Sequence, residues 1–194
     1  MDTTSDTVVR LHQALLQRMR DHSWNRITVS DLAADAGIAR QSFYQHFANR
    51  EDLLLDYVDH MFDAFYNDIA HVISTSPAPG LDISQPLFAQ WQRHREFAQL
   101  MFRARVDDLL IRRFRSYIAR VLGLYVRQHA IEVRDAERMG FMIDYLAGAF
   151  WMVLERWVSG NFRYPEDALA NLFTQLTRPG FLDALRDPAG LGVS

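Results

Sequence analysis

The chain has 194 residues, of which 49% are hydrophobic and 23% are charged, values typical of a folded globular protein. Its formal net charge of −3 does not favour nucleic-acid binding over the whole surface, although phosphate affinity depends on where the few cations lie. The chain has no cysteine, so disulfides, thiolate metal sites and a cysteine nucleophile are excluded.

The amino-terminal segment is acidic and lacks the apolar run of a signal peptide. No uninterrupted apolar stretch approaches the roughly 18 residues that would cross a bilayer. We therefore expect a soluble, cytoplasmic protein with no membrane partner. Residues 1–50 carry six Arg against five Asp, whereas the remainder has an excess of acids. This asymmetry is mild and does not by itself indicate DNA binding.

Helical periodicity dominates the chain. Apolar residues at spacings of three and four predict a first helix over about 6–20, a second over 29–36 and a third over 39–47. Proline and glycine in Ser74–Ser84 predict a loop, and Pro179–Gly180 is expected to end the last helix. No alternation of apolar and polar residues indicates a strand. We expect an all-α fold.

The most informative segment follows the first helix. Thr28 can cap a helix, and Asp31 stands three residues later, which is the spacing of a capping box. Gly37 lies where the chain must reverse, because glycine enters the left-handed region without strain. Phe43 and Phe47 then face inward at i and i+4. Two short helices joined by a glycine turn predict a helix-turn-helix.

The outward positions of the second short helix carry no acid. Arginine suits guanine and glutamine suits adenine in the major groove, and the other polar side chains suit base edges and phosphates. The alternative is a solvated polar helix face. The candidate DNA-binding residues are Thr28, Ser30, Arg40, Gln41, Ser42, Tyr44, Gln45, His46 and Arg50.

The same segment resembles a known family. The cap at Thr28, the turn Ala36–Gly37–Ile38 and the run Phe43–Tyr44–Gln45–His46–Phe47 resemble the DNA-binding domain of the TetR family of bacterial regulators. The resemblance implies a three-helix helix-turn-helix DNA-binding domain over 1–50 and a larger helical ligand-binding and dimerisation domain over 51–194.

The resemblance also implies a double-stranded DNA operator and a phosphate contact for Arg50. The chain departs from the family pattern at two positions. Ala39 stands where many members have a capping serine or threonine, so we expect a weaker cap or one supplied by another side chain. Gln41 stands where many have a small residue, which bears on the operator sequence and not on the fold.

The carboxyl-terminal region resembles the family less closely. The segment 150–173 looks like a recurring family ending, in which the last two long helices pair with a second copy of the chain. The alternative is that its apolar residues close the core of one chain. The candidate dimer residues are Tyr145, Phe150, Val153, Trp157, Leu169, Leu172, Phe173 and Leu176.

The middle of the chain is dense in aromatic and methionine side chains. The resemblance implies a cavity for a small apolar or aromatic inducer, and such side chains suit one. Ordinary core packing is the alternative for each residue. The candidate pocket residues are Phe62, Phe65, Tyr66, Trp91, Met101, Phe102, Phe114, Tyr117, Met142 and Trp151.

Arginines also cluster in this region. They suit a solvated face with ion pairs, pairing with the acids of 51–68, or an anionic inducer. Their positions are Arg93, Arg95, Arg103, Arg105, Arg112, Arg113, Arg115 and Arg120.

The leading hypothesis is a homodimeric repressor that a small-molecule inducer releases from a palindromic operator. A second is a DNA-binding regulator without a ligand, and a third is a small all-α enzyme. An enzyme would need a nucleophile–base pair or a metal constellation, and the seven histidines form no tight cluster along the chain. We therefore predict no catalytic residues, no metal site and no cofactor.

Overall fold

A computed structural model describes residues 3–75, 83–104, 107–133 and 135–186, and these residues form helices without a strand. The all-α prediction is confirmed. The helices are α1 (Thr3–Asp21), α2 (Val29–Asp35), α3 (Arg40–Tyr44), α4 (Arg50–Thr75), α5 (Ser84–Arg93), α6 (Arg95–Ala104), α7 (Asp107–Gln128), α8 (Ala136–Ser159) and α9 (Glu166–Arg186). Among these residues, no helix is both long enough and apolar enough to cross a membrane.

Some element ends differ from the prediction. The helix α9 continues to Arg186, so the end predicted at Pro179–Gly180 is wrong. A proline removes one N–H donor, and here the helical backbone continues on both sides of it. Most of the loop predicted over Ser74–Ser84, residues 76–82, lies outside the described residues.

The chain divides into two compact units. The first unit comprises Met1–Met61 and Glu96–Leu110, and the second comprises Phe62–Arg95 and Ile111–Ser194. The first unit therefore extends about three turns into α4, beyond the domain boundary predicted after residue 50. That boundary stays a prediction.

The first unit is built on α1, which packs on α2, and α2 packs in turn on α3. A short 3-10 turn, Trp24–Arg26, connects α1 to α2. Periodic apolar side chains form the core because they remove their surface from water together. Its buried members include Leu11, Leu15, Trp24, Ile27, Leu32, Phe43, Leu53 and Val58.

The second unit has an aromatic core. The helix α5 packs against α9. Phe88 of α5 stacks on Phe150 of α8 with ring centres 4.6 Å apart, and Phe173 of α9 meets both rings edge-on. Aromatic pairs in these offset and edge-to-face geometries add about 0.5–1.5 kcal/mol each beyond burial.

Candidate nucleic-acid interface

The start of α2 is fixed by Thr28. Its Oγ1 accepts a hydrogen bond from the Asp31 backbone N–H at 3.2 Å, and its own N–H donates to Asp31 Oδ2 at 3.1 Å. The predicted capping box is therefore present. Because Thr28 donates to the carboxylate, the pKa of Asp31 lies below its usual value. Thr28 and Ser30 are both exposed at this helix end.

The turn between α2 and α3 depends on Gly37. Its φ of +66° lies in the left-handed region, as predicted for this position. The Ile38 N–H donates to the carbonyl oxygen of Ala33 at 2.9 Å, which closes the end of α2.

The helix α3, Arg40–Tyr44, is shorter than the recognition helix predicted over residues 39–47. It ends at Tyr44, and the chain continues in a turn in which the Phe47 N–H donates to the Phe43 carbonyl at 3.0 Å. Ala39 stands at the N-cap and supplies no side-chain hydrogen bond, so the first N–H groups of α3 receive no side-chain acceptor from it.

The outward face of α3 is polar and open. Phe43 and Phe47 are buried beneath it, as predicted. The Arg40 Nη2 donates to the Tyr44 hydroxyl oxygen at 3.2 Å, so these two side chains lie side by side on the surface. Among the remaining candidates, Gln41 and Gln45 are exposed and Ser42 and His46 are half-buried.

Arg50 does not lie free for phosphate. Its Nη1 donates to the carbonyl oxygen of Trp24 at 2.8 Å and to that of Ile27, and its Nε donates to Glu51 at 3.0 Å. The side chain is 23% exposed. Arg50 therefore joins α4 to the 3-10 turn, and the phosphate contact predicted for it stays a prediction.

The helix α1 positions the helix-turn-helix from behind. Arg10 Nη1 donates to the Ala36 carbonyl oxygen at 3.0 Å, and Arg18 Nη2 donates to Asp35 Oδ1 at 2.9 Å. The Arg18 guanidinium also lowers the pKa of the Asp35 carboxyl. These contacts join α1 to the last turn of α2, and so set where α3 begins.

The candidate pocket residues fall in both units. Met101 and Phe102 belong to the first unit, and the others belong to the second. In the second unit, the Phe62 ring stacks on Tyr117 with centres 5.3 Å apart, and Phe65 meets Trp91 edge-on at 5.3 Å. Of the second-unit candidates, Phe62, Phe65, Trp91, Phe114, Tyr117 and Trp151 are buried, whereas Tyr66 and Met142 are half-buried.

A buried polar pair, Gln90 and Tyr117, lies among these rings. Its hydrogen bond was not predicted from the sequence. Gln90 is 1% exposed, donates from Nε2 to the Phe65 carbonyl oxygen at 2.9 Å, and accepts from the Tyr117 hydroxyl at 3.2 Å. Burial raises the pKa of Tyr117, so its hydroxyl stays a donor. The available signal was a glutamine directly before the buried Trp91.

Three arginines of the cluster form ion pairs with acids. Arg93 pairs with Asp68 at 3.6 Å, and Arg120 pairs with Asp63. The pairing predicted with the acids of 51–68 is thus confirmed for these two arginines. Arg115 pairs with Asp144 of α8, and Arg105 lies outside the described residues.

The candidate dimer residues divide into two groups. Three of them, Phe150, Trp157 and Phe173, pack on Phe88 and are buried within one chain. They therefore belong to the core of one chain and not to the predicted dimer surface. Tyr145, Leu172 and Leu176 are exposed, and Val153 and Leu169 are half-buried.

The histidines yield a cluster that the sequence analysis missed. His12 of α1 lies beside Asp56 and His60 of α4, and one ligand atom from each lies within 4.8 Å of the others. The histidine spacing alone hides this cluster, because 44 residues separate His12 from Asp56.

Two family models match successive parts of the chain. The family model for bacterial regulatory proteins of the tetR family matches residues 13–57. A second TetR model, for the transcriptional regulator C-terminal region, matches residues 81–179. The first match covers the helix-turn-helix and the start of α4, and the second covers α5 to most of α9.

A curated relative is similar over a short stretch. The chain is 35% identical over 63 residues to the HTH-type transcriptional regulator AlkX of Mycobacterium tuberculosis, a match that covers 30% of this chain and 30% of the relative. The chain thus spans under a third of that relative's length.

Two solved structures have the same fold. The fatty acid degradation regulator FadR of Bacillus halodurans has a TM-score of 0.65 at 20% identity, covering 90% of this chain and 96% of that one. FadR of Bacillus subtilis, solved with stearoyl-CoA, has a TM-score of 0.64 at 18% identity, covering 89% and 98%. Because family models of TetR regulators match both its DNA-binding helix-turn-helix and its carboxyl-terminal region, the chain belongs to the TetR family of transcriptional regulators.

Proposed function

We propose that the chain is a homodimeric repressor that binds a palindromic double-stranded DNA operator and is released by a small-molecule inducer. The observation that carries this proposal is the outward face of α3, which has no acidic residue. Arg40, Gln41, Tyr44 and Gln45 are exposed there. Donors and acceptors on a short helix of this kind suit base edges and phosphates in the major groove.

A homodimer follows from what one α3 can read. A single recognition helix covers one half-site, so two copies about 34 Å apart are needed for a palindrome. We propose that the pairing surface lies on α8 and α9, where large apolar side chains are exposed. They are Phe141, Tyr145, Met152, Leu172 and Leu176.

The spacing on α8 supports this surface. Phe141, Tyr145, Gly148 and Met152 stand at i, i+4, i+7 and i+11, so they share one helix face. A Cβ added at Gly148 would meet nothing within 4 Å among the described residues of its own chain. A glycine within an apolar stripe lets a second helix approach closely, and exposed apolar stripes of this kind mark protein–protein contacts.

The inducer is proposed to be a long-chain acyl-CoA. Two observations support this class. The second unit is rich in aromatic side chains, which suit an apolar chain. FadR of Bacillus subtilis, which shares the fold, was solved with stearoyl-CoA. Its acyl chain agrees with the predicted small apolar or aromatic inducer in being apolar, whereas its CoA group is larger and anionic.

Release is proposed to occur by population shift. A ligand lowers DNA affinity only by the difference between its affinities for the two conformations. The helix α4, Arg50–Thr75, starts in the first unit and continues in the second, so it is the element expected to couple them. A ligand-independent regulator is the second candidate function. Both matched family models describe regulators, and we propose no catalytic role.

The DNA proposal is tested with a duplex that the wild-type protein selects from a random-sequence library. At fixed salt, Arg40→Ala and Tyr44→Ala should each weaken binding by about 5- to 150-fold, corresponding to about 1–3 kcal/mol. Arg163→Ala, an exposed arginine before α9, is the matched control and should bind as the wild type does. Equal affinities in all four proteins would refute the role of α3.

The inducer proposal is tested on the same protein–duplex complex. Stearoyl-CoA should release the protein from the duplex and raise its melting temperature, whereas free CoA should do neither. If stearoyl-CoA has no effect on a protein that does bind the duplex, the acyl-CoA proposal fails. Release by an aromatic compound would then indicate a different inducer class, and no release by any ligand would favour the ligand-independent regulator.

A further inference from the structure

The cluster of His12, Asp56 and His60 lies on two helices of the first unit. The His12 Nε2 and Asp56 Oδ2 atoms are 2.8 Å apart, and the His60 Nδ1 and Asp56 Oδ2 atoms are 3.5 Å apart. Asp56 and His60 are one turn apart on α4 and therefore share its face, whereas His12 reaches them from α1. The carboxylate thus lies between two imidazoles.

We propose that His12, Asp56 and His60 bind a first-row divalent metal ion, with Zn²⁺ as the best match. This site is independent of the proposed function, since it needs neither DNA nor an inducer. Two imidazole nitrogens with one carboxylate oxygen form a ligand set used for Zn²⁺, with water completing the coordination. Mg²⁺ and Ca²⁺ prefer sets made wholly of oxygen.

The separations of the two histidine nitrogens from Asp56 Oδ2 are those expected around one ion. Atoms bound to Zn²⁺ at about 2.0–2.2 Å lie about 2.9 Å apart at a right angle and about 3.4 Å apart at a tetrahedral angle. The observed 2.8 Å and 3.5 Å are close to these two values, and ligation through His60 Nδ1 would replace the 2.8 Å hydrogen bond that this atom makes with the Asp56 backbone carbonyl oxygen. An ion would replace the proton that His12 and Asp56 share in their hydrogen bond.

The cluster has aromatic side chains on one side and solvent on the other. The Tyr57 ring lies edge-on to His12 at 5.2 Å and edge-on to Phe97 at 5.5 Å, which closes one side of the site with aromatic surface. The His60 side chain is 66% exposed, so an ion can enter from solvent and His60 can turn either ring nitrogen towards it.

A bound ion would tie α1 to α4 inside the DNA-binding unit. The same α1 holds the last turn of α2 through Arg10 and Ala36, and through Arg18 and Asp35. An ion held by His12 and by α4 would therefore stabilise the scaffold behind the helix-turn-helix, because a ligand that binds only the folded state raises its stability by mass action.

The test uses the full chain after chelator treatment, with Co²⁺ as a spectroscopic probe and Zn²⁺ as the competitor. The wild-type protein should bind one Co²⁺ per chain, with a visible absorption band that Zn²⁺ abolishes. His60→Gln should weaken Co²⁺ binding by about tenfold or more, and being largely exposed it should leave the fold intact. Asp56→Asn should have the same effect.

The matched control is His71→Gln, an exposed histidine on the same helix, which should bind Co²⁺ as the wild type does. Zn²⁺ should also raise the melting temperature of the wild type and of His71→Gln, but not that of His60→Gln. The proposal is overturned if the wild type shows no Co²⁺ band, or if His60→Gln and the wild type bind Co²⁺ equally well.

Discussion

The Arg50 guanidinium lies over the indole of Trp24, with its central carbon 4.7 Å from the ring centre, and it also donates to the Trp24 carbonyl oxygen at 2.8 Å. Arg50 opens α4, and Trp24 lies in the 3-10 turn between α1 and α2. One side chain thus connects two elements 26 residues apart in the sequence.

We expect Arg50→Ala to destabilise the protein by about 2–4 kcal/mol, since it removes two charge-assisted hydrogen bonds and a cation–π contact. Urea unfolding measures this loss. Arg50→Lys keeps the charge but not the planar group, and should lose an intermediate amount. An Arg50→Ala variant with wild-type stability and weakened DNA binding would instead support the predicted phosphate contact.

Substitution of Gly37 should lower the stability of the fold because of the backbone conformation at this position and not because of steric crowding. A Cβ at Gly37 would meet Arg10 at 3.8 Å, an ordinary contact, but its φ of +66° is unfavourable for alanine. Gly37→Ala should therefore lower the free energy of unfolding by about 1–2 kcal/mol. The control is Gly140→Ala in α8, where nothing lies within 4 Å, and it should raise stability by about 0.5–1 kcal/mol. Equal effects of both substitutions on urea unfolding would contradict this account.

The capping box should make stability depend on pH. The pKa of Asp31 is lowered in the folded chain, chiefly because the Thr28 side chain donates to its carboxylate. A lowered folded pKa means that this contribution is present above the unfolded pKa of about 4 and is lost as pH falls through the folded value. Wild type and Asp31→Asn should therefore differ in unfolding free energy at pH 7 and converge below about pH 4.

Thr28→Ala provides a second measure of the same contact. It removes the donor to Asp31 and the acceptor for the Asp31 N–H, so it should cost about 1 kcal/mol at pH 7. In acid the difference should become smaller as the carboxylate is protonated, while the part due to the lost N–H acceptor remains. If the difference from wild type stays constant between pH 7 and pH 3, the carboxylate does not contribute through this bond.

The helix-turn-helix could be predicted because its determinants are local. Thr28 and Asp31 lie within one helical turn of each other. A glycine at position 37 by itself indicates a left-handed backbone conformation there. The role of Arg50 could not be predicted in this way, because its partners belong to a 3-10 turn that has no apolar periodicity. His12 and Asp56 meet only because α1 docks on α4, which a search along the sequence does not detect.

The two faces of α8 show a further limit. Periodicity marks Phe150, Trp157 and Tyr145 alike as apolar positions. Phe150 and Trp157 pack on Phe88 in the same chain, whereas Tyr145 is exposed. A helix that is apolar on two sides does not reveal from its sequence which side remains for a partner.

The exposed side of α8 supports a final prediction, on assembly. Met152→Glu places a charge at the carboxyl-terminal end of the apolar stripe, so it should convert a dimer into a monomer in sedimentation equilibrium without loss of helix content. Val9→Glu, at an exposed apolar position on α1, is the matched control and should remain dimeric. A dimeric Met152→Glu would place the interface elsewhere.

Gly148→Leu separates contacts between copies from contacts within one chain. A Cβ at Gly148 meets nothing within 4 Å in the part of the chain that the structure describes, and leucine favours helix more than glycine does. We therefore expect that the substitution does not destabilise one chain alone. A second α8 that approaches closely at Gly148 would be pushed away by the added side chain. We therefore expect a higher dimer dissociation constant for Gly148→Leu with unchanged or higher stability of the monomer. Unaltered dimer affinity would mean that the stripe does not pair through Gly148.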